Sequence, residues 1–114
     1  MTAPRPGRAV RGSQTGRPLM AALDLLGRRW TLRILWELRR GPAGPRELRD
    51  RCDSMSPSVL YQRLGELIEA GLVAKDEADR YALTPLGAAL GEAIDPLDRW
   101  SCRWAAEAGP EAGA

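Results

Sequence analysis

Residues 45–69 read PRELRDRCDSMSPSVLYQRLGELIE, and two proline-led helices separated by a turn follow from that stretch. Pro45 suits the first helical position, where its missing N–H costs nothing. Leu48 and Cys52, four residues apart, make a narrow apolar face between Arg46, Glu47, Arg49, Asp50 and Arg51. Asp53 and Ser54 form the turn. Ser56 is placed as an N-cap with Pro57 behind it, and Leu60, Leu64, Leu67 and Ile68 give the longer helix a buried stripe that ends at Gly71. A short helix, a tight turn and a longer helix with one leucine face make a helix-turn-helix.

Working outward, the flanks supply the rest of a small domain. Leu19, Ala22, Leu23 and Leu26 recur at the helical period and predict a first helix stopping near Gly27. A second, from Trp30 to Arg40, carries Trp30, Ile34, Leu35 and Leu38 on one stripe with Leu32 and Trp36 off it, so it is expected to be central. Gly41-Pro42-Ala43-Gly44-Pro45 then forces a turn. Beyond Gly71, Leu72–Lys75 and Arg80–Leu83 read as two short strands joined by the acidic link Asp76-Glu77-Ala78-Asp79. Thr84-Pro85 starts a final helix in which Leu86, Leu90, Ile94, Leu97, Trp100 and Trp104 recur at steps of three and four, with a kink expected at Pro96. The fold class is mainly α with a small β-hairpin: a winged helix-turn-helix over 18–108, between a disordered basic tail at 1–17 and a second tail at 109–114.

Composition excludes several functions. The chain has 114 residues, enough for one domain, and no histidine, so a Ser-His-Asp triad, a Cys-His pair and a histidine zinc site are out of reach. Cys52 and Cys102 are too far apart in sequence for a paired metal knuckle and too few for a disulfide framework. An enzyme, a bound metal and a cofactor are therefore not expected. Apolar runs are broken every few residues by charge, so neither a membrane span nor a signal peptide is expected, and the assignment is cytoplasmic. The formal charge of +2 is uneven: residues 1–18 carry Arg5, Arg8, Arg11 and Arg17 without an acid, leaving 2 − 4 = −2 for residues 19–114. Any nucleic acid must be held by a local patch, with or without the arm, and not by bulk charge.

The pattern resembles the HxlR family across residues 17–104. The matching pieces are Leu23-Asp24-Leu25-Leu26-Gly27, Arg29-Trp30-Thr31-Leu32, Ile34-Leu35, Glu37-Leu38, Gly41-Pro42, Glu47-Leu48-Arg49, Met55-Ser56, Leu60, Gln62-Arg63-Leu64, Leu67, Gly71-Leu72-Val73, Tyr81 and Leu83-Thr84-Pro85-Leu86-Gly87. The resemblance implies a transcriptional regulator that binds double-stranded DNA as a homodimer. Three departures stand out. Arg17 occupies the position where many members carry a sensing cysteine, which argues against that thiol switch here. Gly44-Pro45 replaces an Arg-Phe pair, with Arg46 as a substitute phosphate contact. The wing is short, and its tip of Asp76, Glu77 and Asp79 repels phosphates.

On this reading the helix of residues 56–69 enters the major groove. With the leucines inward, Ser58, Tyr61, Gln62 and Gly65 turn outward, Gln62 to bond adenine and Tyr61 to touch a thymine methyl or a phosphate. Ser56 is expected to cap the helix first and meet phosphate second. Arg63 either binds phosphate or pairs with Glu66 or Glu47, and Arg46, Arg49, Lys75 and Arg80 are flanking phosphate candidates. The arginines of the N-terminal tail either follow the duplex or simply solubilise the chain. Leu19, Leu23, Leu86, Leu90, Ile94, Leu97, Trp100 and Trp104 exceed what so small a domain buries, which predicts a two-fold dimer interface. Two alternatives are a winged-helix module for protein–protein contact and a regulator answering a small-molecule effector. In the latter, Trp30, Trp36, Trp100 and Trp104 line a pocket near the dimer helices; core packing is the competing role for all four.

Overall fold

The computed structural model describes residues 3–9 and 17–109. In chain order it forms α1 (Pro18–Leu26), α2 (Thr31–Leu38), α3 (Pro45–Arg51), α4 (Pro57–Glu69), β1 (Val73–Lys75), β2 (Tyr81–Leu83) and α5 (Pro85–Ala108). Four of the five helices open on a proline, which tolerates the first turn because no helical bond is asked of its nitrogen. The exception, α2, starts one residue later than its hydrophobic stripe suggests. Trp30 stands before it in the left-handed region at φ 77°, and the Thr31 N–H bonds back to the Arg28 carbonyl. The Trp30 ring is still packed against the core, so the stripe was real although the residue is not helical.

The helix α2 is the centre of the molecule and touches α1, α3, α5 and β2. Its Ile34, Leu35 and Leu38 meet Leu48 and Cys52 of the α3 segment, Leu60, Leu64 and Leu67 of α4, and Val73 of β1 in one buried cluster. Burial also raises the pKa of the Cys52 thiol above its ordinary value, chiefly by desolvation. The α3–α4 turn holds Asp53 and Ser54 at φ 56° and 59°, two consecutive left-handed residues that reverse the chain within a few bonds.

The strands pair antiparallel with Val73 opposite Leu83, Ala74 opposite Ala82 and Lys75 opposite Tyr81. Ala43 adds a bridge on the far side of β2, its N–H donating to the Tyr81 carbonyl at 3.0 Å and its carbonyl accepting from Tyr81 N–H at 2.8 Å. The acidic tip is organised by Asp76, whose Oδ1 accepts from the N–H groups of Ala78 and Arg80 at 2.9 Å each.

Thr84 then caps α5 by accepting from Gly87 N–H at 3.1 Å, while its hydroxyl donates to the Gly71 carbonyl at 2.6 Å. One side chain thereby ties the end of α4 to the start of α5. The 24 residues of α5 run through Pro96 as one element. Its buried side is Gly87, Gly91 and Ile94, and Ile94, expected at the dimer interface, is only 8% exposed within the single chain. It shares the narrow face that packs inward, whereas Leu90 is half-buried and the rest of the apolar series points away.

The N-terminal segment differs from the free tail expected over 1–17. Ala3 is buried, its N–H reaches Glu69 at 3.2 Å, and the Arg5 guanidinium meets the same carboxylate at 2.8 Å. A backbone donor and a cation on one carboxylate hold the segment where composition alone offered no core. Residues 10–16, and 110–114 of the second tail, lie outside the described residues.

Two outcomes follow from this packing. A methyl at Gly87 would lie 2.1 Å from the Leu72 carbonyl oxygen, which is backbone and cannot turn aside. Gly87→Ala therefore destabilises the domain by about 1–3 kcal/mol or more, read as a lower midpoint in urea with an unchanged slope. The Ala3 N–H first, and Arg5 second, hold the Glu69 carboxyl below the usual range. Because the folded value is the depressed one, this attachment is complete above the unfolded carboxylate pKa and is lost as pH falls through the folded value. Arg5→Ala raises the Glu69 midpoint in a carboxyl-carbon NMR titration.

Candidate nucleic-acid interface

The outward face of α4 is set by what its inward face must bury. Leu60, Leu64 and Leu67 are enclosed, and at helical spacing this turns Ser58, Tyr61, Gln62 and Gly65 to solvent; Tyr61 is 52% exposed. Ser56 lies exposed at the head of the same helix, where its hydroxyl contacts that of Ser58 at 3.0 Å and makes no side-chain cap bond. The expected capping role is thus corrected: Pro57 at the first helical position starts the helix without it.

The basic candidates divide. Arg46 sits in the first turn of α3 with its side chain exposed. Arg49 turns inward, its Nε donating to the Met55 carbonyl at 3.0 Å across the α3–α4 turn. Arg63 is the clearest departure from the phosphate role. Its Nε donates to the Arg29 carbonyl at 2.8 Å and its Nη1 meets Glu66 at 2.8 Å. On the wing, Lys75 pairs with Asp79 at 3.3 Å, which raises the lysine pKa, and Arg80 reaches the Pro42 carbonyl at 3.3 Å. Ser56 at the head of α4, Ser58, Tyr61 and Gln62 within it and Arg46 on the preceding helix are thus exposed, while Arg49 and Arg63 are held by main-chain carbonyls.

Glu66 is only 3% exposed, and the sequence reading placed it merely as one of two partners for Arg63. Its second partner, Arg28, was missed: the Arg28 guanidinium meets the other carboxylate oxygen at 2.5 Å and lies 3.8 Å from Asp24 of α1. A carboxylate between the leucines of an amphipathic helix demands buried cations, and that was the available signal. A second lattice surrounds α3. Arg33 spans Glu37, Asp53 and the Arg51 carbonyl, and Arg51 spans Glu47 and the carbonyls of Glu37 and Gly41. The bond to Glu37 is the largest influence raising the Arg33 pKa.

The tryptophans do not share one role. Trp30 packs on the core and Trp36 lies under the Arg39 guanidinium. Trp100 and Trp104 stack on each other at 5.7 Å yet are 57% and 58% exposed, which corrects the expectation of core packing for these two. No tryptophan lines a groove of about 800 Å³ bounded by Pro4, Arg5, Ala21, Ala22, Leu86 and Leu90 among others, whereas Trp30 lines a second, of about 420 Å³, with Leu26, Arg29 and Leu32. No group of residues suited to a metal ion occurs among the described residues, and no helix there is long and apolar enough to cross a membrane.

Comparison with known proteins adds to this geometry. The family described as HxlR-like helix-turn-helix matches residues 25–108. The uncharacterized HTH-type transcriptional regulator YvaP of Bacillus subtilis (strain 168) is 30% identical over 89 residues, covering 73% of this chain and 82% of that protein. A second, the uncharacterized HTH-type transcriptional regulator MJ0925 of Methanocaldococcus jannaschii, is 28% identical over 89 residues, covering 75% and 83%. The crystal structure of quinone-bound YodB from B. subtilis superposes with a TM-score of 0.69 at 31% identity, covering 75% of this chain and 97% of that one.

Gly65 gives a test of the outward face that needs no ligand. No atom lies within 4 Å of a methyl built there. Gly65→Ala therefore stabilises α4 by roughly 0.5–1 kcal/mol, seen as a raised melting temperature; a destabilised variant would mean that this face is packed against something.

Proposed function

The chain belongs to the HxlR-like helix-turn-helix family and is a transcriptional regulator of the winged-helix type, and from that premise we propose that it reads a pseudo-palindromic operator in double-stranded DNA as a homodimer. The observation that carries the proposal is the exposed row of α4, with Ser58, Tyr61 and Gln62 standing over a leucine-anchored base. A major groove about 12 Å wide admits one helix, and a glutamine amide offers an adenine edge both a donor and an acceptor. Ser56 at the helix head and the exposed Arg46 are assigned to phosphates. Lys75 and Arg80 are flanking contacts restrained by their own neighbours, and the acidic tip keeps the wing out of the minor groove. Arg49 and Arg63 act as braces.

The dimer reading rests on exposed apolar side chains. Leu19 and Leu23 on α1, and Leu86, Leu97, Trp100 and Trp104 on α5, are large and largely uncovered, more than single chains usually tolerate. Leu90 completes the patch from a half-buried position. A two-fold arrangement would set two copies of α4 about 34–36 Å apart, one turn of DNA. The assignment is non-enzymatic and cytoplasmic, with residues 18–108 as the working unit. The effector, if the chain answers one, is a separate matter: YodB binds quinone, whereas Arg17 stands here at the position matched to the family's sensing cysteine.

Selection of bound sequences from a random duplex pool is expected to return an imperfect palindrome, and light scattering a dimer at micromolar concentration. Gln62→Ala weakens the selected site by about 1–3 kcal/mol and relaxes one position of it. Arg46→Ala weakens all sequences alike and reduces the salt slope by about one. A pool without enrichment would instead favour the protein–protein reading.

A further inference from the structure

We propose that Glu66 is a positioning residue for base reading, coupling the recognition helix to the α1–α2 corner through a buried Arg28–Glu66–Arg63 bracket. The inference rests on the DNA-binding reading above and goes beyond it by assigning how α4 is aimed. One oxygen of Glu66 takes the Arg28 guanidinium at 2.5 Å and the other takes Arg63 at 2.8 Å. Both cations are themselves anchored outside α4. Arg28 lies beside Asp24 of α1 at 3.8 Å, and Arg63 donates to the carbonyl of Arg29 at 2.8 Å. The two arginine side chains are only 11% and 16% exposed, and the carboxylate 3%.

Such a bracket contributes little net stability, because the desolvation of three charges offsets much of their attraction. What it does supply is direction. Leucine packing resists withdrawal of α4 but tolerates a small roll about the helix axis, since apolar contacts are non-directional. The two bonds that leave α4, from Arg28 to Glu66 and from Arg63 to the Arg29 carbonyl, do not tolerate that roll, because hydrogen bonds weaken steeply off line. Arg63 follows directly on Gln62, so the residue fixed to the Arg29 carbonyl is the neighbour of the one assigned to base edges. The chain of contacts also begins on α1 next to Leu23, whose exposed side chain belongs to the patch assigned to the partner copy. Aim and subunit placement are thereby tied together through Asp24, Arg28 and Glu66.

The test compares the full-length chain with Glu66→Gln on two duplexes, the site selected from the random pool and a scrambled version of it. Glutamine keeps the shape of the side chain and removes the charge. The expected result is a dimer of unchanged far-UV spectrum whose affinity for scrambled DNA stays within about twofold, while the specific-to-nonspecific ratio falls about tenfold or more. Arg28→Lys, outside the recognition helix, keeps the charge but not the fork, and is expected to lower the same ratio. It carries the test alone if Glu66→Gln does not fold. Ile34→Val, a core change outside the bracket, lowers the melting temperature and leaves the ratio intact. A ratio unchanged in the bracket variants, or a parallel loss on both duplexes, overturns the proposal and makes the bracket purely structural. A wild-type chain with no sequence preference removes the DNA reading itself, and is distinguishable because it appears before any substitution is made.

Discussion

The leucine face of α4 cannot be buried without committing the opposite face to water, and the rest of the molecule is arranged around that commitment. Leu60, Leu64 and Leu67 close on Ile34, Leu35 and Leu38 of the central helix, with Leu48 and Cys52 filling the angle between. Truncating Ile34 or any one of these leucines to alanine removes both transfer energy and packing, typically about 2–5 kcal/mol, a large part of what so small a domain has. The polar row is thus held in place by the same contacts that keep the chain folded.

Charge is used inwardly here more than outwardly. Arg28, Arg33, Arg49, Arg51 and Arg63 all spend guanidinium donors on carboxylates or main-chain carbonyls of other segments. These bonds stitch α1, α2, α3 and α4 across turns where the backbone has few partners of its own. Arginine suits the task because its planar fork serves two acceptors at once and is never deprotonated. It also explains how a chain so rich in arginine has a folded part without a broad basic surface: many of the positive side chains are answered from within.

The features legible in the sequence are those decided within a few residues. Pro45, Pro57 and Pro85 marked helix starts, the leucine spacing of α4 marked its two faces, and Thr84 marked the last cap, each within a residue of the observed boundary. The features that were not legible depend on distant partners. Trp30 carries the right residue type for the stripe, but a left-handed backbone is imposed by the α1–α2 corner. Arg63 and Arg49 have the composition of phosphate ligands, and only the fold reveals which carbonyls claim them. Ile94 and Leu97 are equally apolar on paper, yet one is buried and the other exposed, because α5 buries only a narrow strip that holds Gly87, Gly91 and Ile94. Ser56 was read from its type alone, whereas its neighbour Pro57 had already fixed the start of the helix.

The bridge from Ala43 to Tyr81 turns β2 into an interior strand, flanked by β1 on one side and by the interhelical loop on the other. The outer margin of β1 is three residues long and ends at Lys75. So short and charged a margin is a poor template for another chain's backbone, which protects a hairpin-bearing protein from edge-to-edge aggregation. Lengthening the tip beyond Asp76 should therefore be tolerated, whereas an insertion beside Ala43 would strip that shelter and leave the Tyr81 N–H and carbonyl without this partner.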